Sequence, residues 1–343
     1  MPVTVVVGGQ FGSEGKGKVA HYLARTMGAT YAVRCGGSNS GHTVVDDSGK
    51  TWIFRQLPTA AVLPNVRLAI CAGSYIDVDV LSREIEEAGI TPRRLIIDPE
   101  AVIITQDCKE SERASGLVQA IGSTGSGTGA AVANRVLRNP SVAFAKSYKT
   151  LLPFIGNVSA ELRASIDRKE RIILEGTQGF GLSPLHSGFF PKVTSRDTTA
   201  AAVVSEVGLS PLDVDDIALV LRAFPIRVAG DSGPLPDETS WQTISQNGNF
   251  PQQIMEKTTV TCKIRRVAFF TPEVVRKAIS INNPTKIFLN HVDYLDYNAS
   301  VLVSKSRHFI INIEKELGRP IDYIGLSPSR IEQAANFLGA FDV

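Results

Sequence analysis

The chain has 343 residues, and its 36 Lys plus Arg against 34 Asp plus Glu leave a net charge of +2. Near-neutrality argues against a surface that follows a nucleic-acid polymer over many phosphates, and 43% apolar residues argue against wholesale disorder. No apolar run has the length of a membrane span, the opening MPVTVVVGG is not a signal peptide, and the four cysteines form no CxxC pair, so reduced thiols in a cytoplasmic protein are expected.

The first expected element is a buried strand over Thr4 to Val7, which runs into glycines and then a helix over Lys16 to Met27. A strand, a glycine-rich turn and a helix open a phosphate-binding α/β unit. Further strand-like runs are Tyr31 to Arg34, Leu68 to Cys71, Leu95 to Asp98, Arg171 to Glu175, Ile217 to Arg222 and Lys286 to Leu289. Helix-like stretches are Val78 to Ala88, Thr150 to Ile166, Thr198 to Val207, Pro272 to Asn282 and Ser306 to Leu317. The alternation predicts an α/β fold with a mainly parallel central sheet, helices on both faces and a P-loop-like nucleotide site with long insertions. Strand-like runs recur from end to end, so one large domain over residues 1–343 is expected. Residues 36–50, 121–140 and 229–265 are polar and Gly-rich, as active-site loops are, and the uncharged stretch Ala114 to Asn134 reads as a polar loop.

Seven segments carry chemistry. Gly8 to Lys18, GGQFGSEGKGK, lets backbone N–H groups approach an anion, and Lys16 adds charge at a helix N-terminus. It is not a Walker A loop, because Gln10 stands where that pattern needs its first Gly and Gly17 follows Lys16. RCGGSNSGHT places His42 in a polar loop; GSTGSGTG, over Gly122 to Gly129, could wrap a second phosphate or serve as a linker. EGTQG follows the strand RIIL, and VTSRDTT covers Val193 to Thr199. VTCKIRR puts three cations in one loop, which alone could be a solvated basic turn. NHVD, after KIFL, ends a strand with an Asp able to accept hydrogen bonds from a base edge.

Taken together and in this order, these motifs resemble the adenylosuccinate synthetase family over nearly the whole chain. The family joins L-aspartate to C6 of a purine monophosphate. A triphosphate first phosphorylates the 6-oxo group, and the aspartate amine then displaces phosphate. The resemblance implies a catalytic set of Ser13, Glu14, Lys16, His42 and Gln178, with His42 stabilising the moving phosphoryl group. It implies a triphosphate site from Gly12, Gly15, Lys16, Gly17, Gly41, His42 and Thr43, with Asn290, Asp293, Gly325 and Ser327 toward the base. Ser13, Asn39, Ser123, Thr124, Gln178, Thr194, Val228 and Lys263 would hold the purine monophosphate. Arg135 would reach the neighbouring active site of a homodimer. Thr259, Val260, Thr261 and Arg265 would hold aspartate, and Mg²⁺ would meet Ser13 and the Gly41 carbonyl.

Four departures bear on the substrate. The family motif GDEGKGK uses its Asp as the base at purine N1 and as a metal ligand; here that residue is Ser13. A serine hydroxyl is a poor general base near neutral pH. The family's GGHN is GGSN at Ser38, its TGR is TCK at Cys262 and Lys263, and its TKLD is NHVD at His291. Serine leaves room for a 2-amino group beside N1, as in the phage branch of the family, which uses dGMP in place of IMP. The preferred expectation is therefore dGMP, L-aspartate and ATP or dATP, with γ-phosphate or Glu14 receiving the N1 proton. The alternatives are an ordinary IMP- and GTP-using synthetase, a catalytically dead nucleotide-binding protein, and a GTPase switch.

Overall fold

The strand VTVVVG is buried at every residue, which requires packed layers on both sides. In the computed structural model, which describes residues 2–258 and 262–339, both layers are present. Nine strands of the main sheet are β1 (Val3–Gly8), β2 (Tyr31–Arg34), β3 (Arg67–Ile70), β4 (Leu95–Ile97), β5 (Ile172–Gly179), β6 (Val214–Arg222), β7 (Lys286–Asn290), β8 (Tyr323–Gly325) and β9 (Ile331–Gln333). Their spatial order is β9-β8-β7-β6-β1-β5-β2-β3-β4. Every pairing is parallel except the antiparallel β8–β9 edge.

The period of two along each strand divides the core. Val5, Val7, Leu219, Leu221, Ile287 and Leu289 face one layer, which also holds Val203, Val207, Val275 and Ile313 from three helices. Val6, Ala218, Val220 and Phe288 face the other, packed with Val19 and Leu23 of the first helix, α1 (Lys16–Thr26). Because β1, β2, β5 and β6 are parallel neighbours, the segments leaving their C-terminal ends emerge at one end of the sheet. An α/β sheet binds ligands at that end, where strand order reverses around β1.

The expected strands and the mainly parallel sheet are present, with differences in the helices and loops. Thr150 to Ile166 is not one helix: a 3-10 turn at Leu152–Phe154 precedes a helix at Val158–Asp167, whose start is set by the Asn157 side chain accepting from the Ala160 N–H. The helix expected from Ser306 to Leu317 starts at Ala299. Ala114 to Asn134 is not a simple loop. It holds a helix at Leu117–Ile121 and most of one at Thr128–Val136, separated by glycines at left-handed φ at 122, 125 and 127. Residues 36–50 also contain a strand, because His42–Val45 pairs antiparallel with Thr51–Phe54.

Candidate active site

The glycine loop after β1 is folded around a buried carboxylate. Glu14 is 0% exposed and accepts hydrogen bonds from the Gly12 N–H at 2.8 Å and the Gln10 N–H at 3.2 Å, with Lys16 Nζ at 2.7 Å. A Cβ at Gly8 would lie 2.6 Å from Glu14 Oε2, so only glycine lets the loop close over it. Gly15, at φ 90°, turns the chain into α1 and supplies no side-chain cap. The first N–H groups of α1 thus stay open to an anion. Ser13 also holds a left-handed φ of 56°, unusual for a serine, which fixes it at the loop's crest.

His42 stands at the start of its hairpin strand, not in the loop before it. Its Nδ1 lies 2.5 Å from Glu175 Oε1, at the level where β5 leaves its run of apolar residues. The other Glu175 oxygen accepts from the Thr59 N–H and hydroxyl, both at 2.8 Å. Arg34, at the end of β2, donates to Glu175 at 3.3 Å and to the Ser40 carbonyl at 2.9 Å. Burial, followed by the charge of Arg34, pulls the His42 pKa down to about 4 despite the carboxylate. Burial alone would raise the Glu175 pKa, but the His42 hydrogen bond and the charge of Arg34 hold it below the usual range. The arrangement is a neutral imidazole beside a charged carboxylate, with Nδ1–H donating to Glu175 and Nε2 left for a ligand.

A second ion pair holds the outer loop. Arg222, fully buried at the end of β6, contacts Glu256 at 2.5 and 3.3 Å and donates to the Ser13 carbonyl at 2.9 Å. The Tyr294 hydroxyl donates to Glu256 at 3.1 Å. Residues 256–258 pair with residues 263–265, since the Arg265 N–H donates to the Glu256 carbonyl and the Thr258 N–H to the Lys263 carbonyl. Arg265 Nη1 donates to the Ser13 hydroxyl.

These segments enclose a cavity of about 800 Å³. It brings together Gly12, Ser13, Gly15, Lys16 and Gly17 with Asn39, Gly41, His42 and Thr43. Ser123, Thr124, Gln178, Val228, Lys263 and Arg265 complete the expected set on its wall. Thr194 lines a smaller adjoining cleft with Asn39 and Gln178. Glu14 lies beneath the loop, where its carboxylate meets Gln10, Gly12 and Lys16. Arg135 is turned away, donating to the Ala72 carbonyl at 2.7 Å. Thr259, Val260 and Thr261 lie outside the described residues.

Asn290, Asp293, Gly325 and Ser327 form a separate group beside α1. Asn290 Nδ2 donates to the Glu14 carbonyl at 2.8 Å, its Oδ1 is buried with no hydrogen-bond partner, and Lys18 Nζ donates to the Ser327 carbonyl at 2.7 Å. Burial lifts the Asp293 pKa to about 6 and lowers that of Lys18 to about 8. His291, beside Asp293, lines the cavity, with its pKa pulled to about 3 by burial and then Arg222.

Sequence reasoning passed over Arg34, Glu175, Arg222 and Glu256. Three of these are charged residues that follow an apolar run, in YAVR, IILE and IALVLR, and that pattern was the available signal. Glu256 carried none. The expected metal ligands fit Mg²⁺ only in part. Gly41 lines the cavity, but the Ser13 hydroxyl faces a guanidinium, a poor neighbour for a cation. Among the described residues no cluster of His, Cys, Asp or Glu could hold a metal ion. Any Mg²⁺ here would depend mainly on substrate phosphates.

A family profile described as adenylosuccinate synthetase matches residues 5–145 and 140–306. The chain belongs to the adenylosuccinate synthetase family. It is 38% identical to the adenylosuccinate synthetase of Thermococcus sibiricus over 96% of both chains. It is 39% identical to that of Methanocaldococcus jannaschii, over 95% of this chain and 94% of that one. Among solved structures, the succinoaminodeoxyadenylate synthetase of cyanophage S-2L, bound to dGMP and to dATP as energy donor, superposes with a TM-score of 0.83 at 26% identity, covering 99% of each chain. A fully ligated Plasmodium falciparum adenylosuccinate synthetase has the same fold, with a TM-score of 0.82 at 20% identity over 96% of this chain and 98% of that one. The chain is thus a carbon–nitrogen ligase of the kind that joins aspartate to a purine nucleotide. No described helix is long and apolar enough to cross a membrane.

Proposed function

We propose that this ligase joins L-aspartate to C6 of dGMP, using ATP or dATP, through a 6-phosphoryl intermediate. One observation carries the reading: the residue at the crest of the glycine loop is Ser13, exposed to the cavity and neutral, where the family has a carboxylate. A carboxylate there would crowd a 2-amino group; a serine oxygen can accept a hydrogen bond from it. Glu14 does not line the cavity and is engaged by Lys16 and two amides, which leaves the γ-phosphate as the better acceptor for the N1 proton. The likeness to the cyanophage enzyme with dGMP bound supports the same reading.

The site residues then divide the work. Lys16 and the open N-terminus of α1 hold the triphosphate. His42, fixed by Glu175, lies where charge moves during phosphoryl transfer. Asn39, Gln178 and Thr194 face the purine monophosphate, and Ser123 and Thr124 meet its phosphate. Lys263 and Val228 lie at the sugar. Asn290, Asp293, Gly325 and Ser327 receive the triphosphate's base, and Arg265 with residues 259–261 holds aspartate. Mg²⁺, when bound, neutralises phosphate charge, with Gly41 as its protein contact. Arg135 crosses to a second subunit in a homodimer.

A second reading uses IMP and GTP, as an ordinary adenylosuccinate synthetase. The comparisons lend it the greater weight, because the curated relatives at 38–39% identity bear that name. Ser13 keeps the first reading in front, since those relatives' family pattern has a catalytic carboxylate that this chain lacks. Incubation with aspartate, Mg²⁺ and each pairing of IMP, GMP or dGMP with ATP, dATP or GTP separates them by product mass. Faster turnover of IMP than of dGMP would overturn the first.

A further inference from the structure

We propose that Cys35 and Cys71 form a peroxide-oxidisable dithiol, and that closing it to a disulfide disturbs the active-site wall and lowers ligase turnover. Strand register brings the two residues together. β2 and β3 are parallel neighbours, with Tyr31 opposite Arg67 and Arg34 opposite Ile70. One residue further on, Cys35 and Cys71 leave the strands side by side, buried in the same core layer as Val33 and Ala69. Their sulfurs are 3.1 Å apart. Neighbouring strands run about 4.8 Å apart, within the Cα separation that a disulfide spans. The other two cysteines are not part of this pair: Cys108 meets the Thr105 hydroxyl, and Cys262 is exposed in the outer loop.

The two thiols have different surroundings, which sets their roles. Burial would raise the Cys71 pKa, but hydrogen bonding with Cys35 and with Ser74, at 3.4 Å, holds it below the usual thiol value. The same bond and then burial push Cys35 well above it. Cys71 is therefore the attacking sulfur and Cys35 the resolving one. Hydrogen peroxide is little larger than water, and a cleft lined by Gly37, Thr177 and Arg196 opens two residues from Cys35. The Cys71 thiolate attacks one peroxide oxygen, the O–O bond breaks, and the departing hydroxide takes up the proton that Cys71 released. The Cys35 sulfur then attacks the Cys71 sulfenic acid; its own proton leaves with the hydroxyl as water, and the S–S bond forms. Two thiols and one peroxide give one disulfide and two waters, and the two electrons lost by sulfur reduce the peroxide.

The bond draws the sulfurs from 3.1 Å to about 2 Å. The surrounding core is close-packed, so the shift passes to the ends of β2 and β3. Both ends lead to the site. Gly36 follows Cys35 and is wedged against Thr177, where a Cβ would lie 2.6 Å from that side chain. Its carbonyl accepts from the Tyr75 N–H at 2.9 Å, which ties the two loops together. Asn39, three residues on, stands on the cavity wall. Arg34, just before Cys35, holds Glu175 and through it His42. A displacement of about 1 Å at such a site is enough to lower turnover about tenfold.

The test treats the full chain with hydrogen peroxide and removes the peroxide with catalase. Intact mass, a peptide map and turnover are then read. Turnover is assayed with whichever purine monophosphate and triphosphate the chain uses fastest, so failure of the dGMP reading changes the assay mixture and not the result. The expected outcome is a mass lower by two hydrogens, a bond linking the Cys35 and Cys71 peptides and turnover lowered about tenfold. Dithiothreitol should reverse all three. Cys71→Ser and Cys71→Ala should form no bond and keep their turnover under the same treatment, and either one serves if the other does not fold. Cys35→Ala strands the intermediate, so a dimedone probe should label Cys71 in that variant. Both thiols staying free in the native chain, or a bond that leaves turnover unchanged, overturns the proposal. So does an equal loss of turnover in the Cys71 variants, which would assign the effect to exposed Cys262.

Discussion

Where the glycine loop meets His42, the charged side chains of Glu14, Lys16, Arg34 and Glu175 and the neutral imidazole of His42 are buried, and each has a partner within the chain. At the other end of the cavity Ser13 and Lys263 are exposed, Arg265 is half-exposed, and the loop carrying the last two is held mainly by its own backbone and one ion pair. The first end stands on the C-terminal ends of β1, β2 and β5, elements that cannot move without disturbing both core layers. At the second, Lys263 and Arg265 belong to a long insertion after β6, and Ser13 alone belongs to the glycine loop after β1. Phosphoryl transfer, on the proposed reading, needs fixed charges that do not reorganise as the reaction proceeds, and the buried end would supply them. Substrate choice can change at the exposed end by replacing single residues, with little effect on the fold.

The comparison breaks most sharply at His42. His42→Ala is expected to lower kcat by roughly 10²–10³-fold, the usual loss when one preorganised group is removed from a developing charge. Unfolding in urea should change little by comparison. A kcat within a few-fold of native would remove His42 from the chemistry. Glu175→Ala should behave in the opposite way and unfold the rigid end. It leaves the Arg34 guanidinium buried without its carboxylate, which costs about 3–5 kcal/mol of stability. Denaturant unfolding measures that loss, and a value below 1 kcal/mol would mean the cluster is not the framework of the site.

The pH dependence of stability sharpens the same contrast. His42 and His291 have folded pKa values of about 4 and about 3, against 6.5 for an unperturbed imidazole. Between pH 6.5 and about 4 the unfolded chain binds protons at these two imidazoles that the folded chain refuses, so their contribution to stability falls as pH is lowered, and Asp293, whose carboxyl is raised to about 6, offsets only one of the two. Melting temperatures from pH 7.5 down to pH 4.5 check the sign. A His42→Asn chain should lose part of the slope. An unchanged slope would place the responsible groups elsewhere.

At the exposed end Ser13→Asp should restore the family's carboxylate. On the dGMP reading it lowers kcat/KM for dGMP relative to IMP, with a swing on the order of 10²-fold. Stability should hold within about 1 kcal/mol, because Ser13 is exposed and packs little.

Much of this division was legible in the sequence. Alternating apolar runs predicted the parallel sheet, and GGQFGSEGKGK predicted an anion site at a helix start. What remained hidden has physical causes. Ala114 to Asn134 looked like a loop because glycines interrupt it, yet those glycines bound two short helices, the second of which buries Ala131. His42 looked like a loop residue because its hairpin strands are only four residues each. Glu175 and Arg34 were quoted within motifs but carried no assigned role, since an ion pair between two strand ends distant in sequence has no local signature. Glu14 was expected beside the reaction centre; only the fold shows its carboxylate turned beneath the loop.

The smallest expected effect lies at Lys263. It is exposed on the cavity wall, and its N–H is held by the Thr258 hydroxyl at 3.0 Å. The family has an arginine there, and a guanidinium offers a planar pair of donors that can span two sugar oxygens, whereas an ammonium cannot. If Lys263 is the sugar contact, Lys263→Arg should favour the ribonucleotide and raise the ratio of kcat/KM for GMP over dGMP about threefold to tenfold, near 1 kcal/mol. The change should fall mainly on KM, because the sugar lies away from the reacting oxygen and its contacts are the same in ground and transition states. A ratio that does not move would separate Lys263 from the sugar and leave deoxyribose selection to Val228 and its neighbours. A fall in kcat with KM unchanged would connect the exposed loop directly to phosphoryl transfer, and the contrast between the two ends of the cavity would no longer hold.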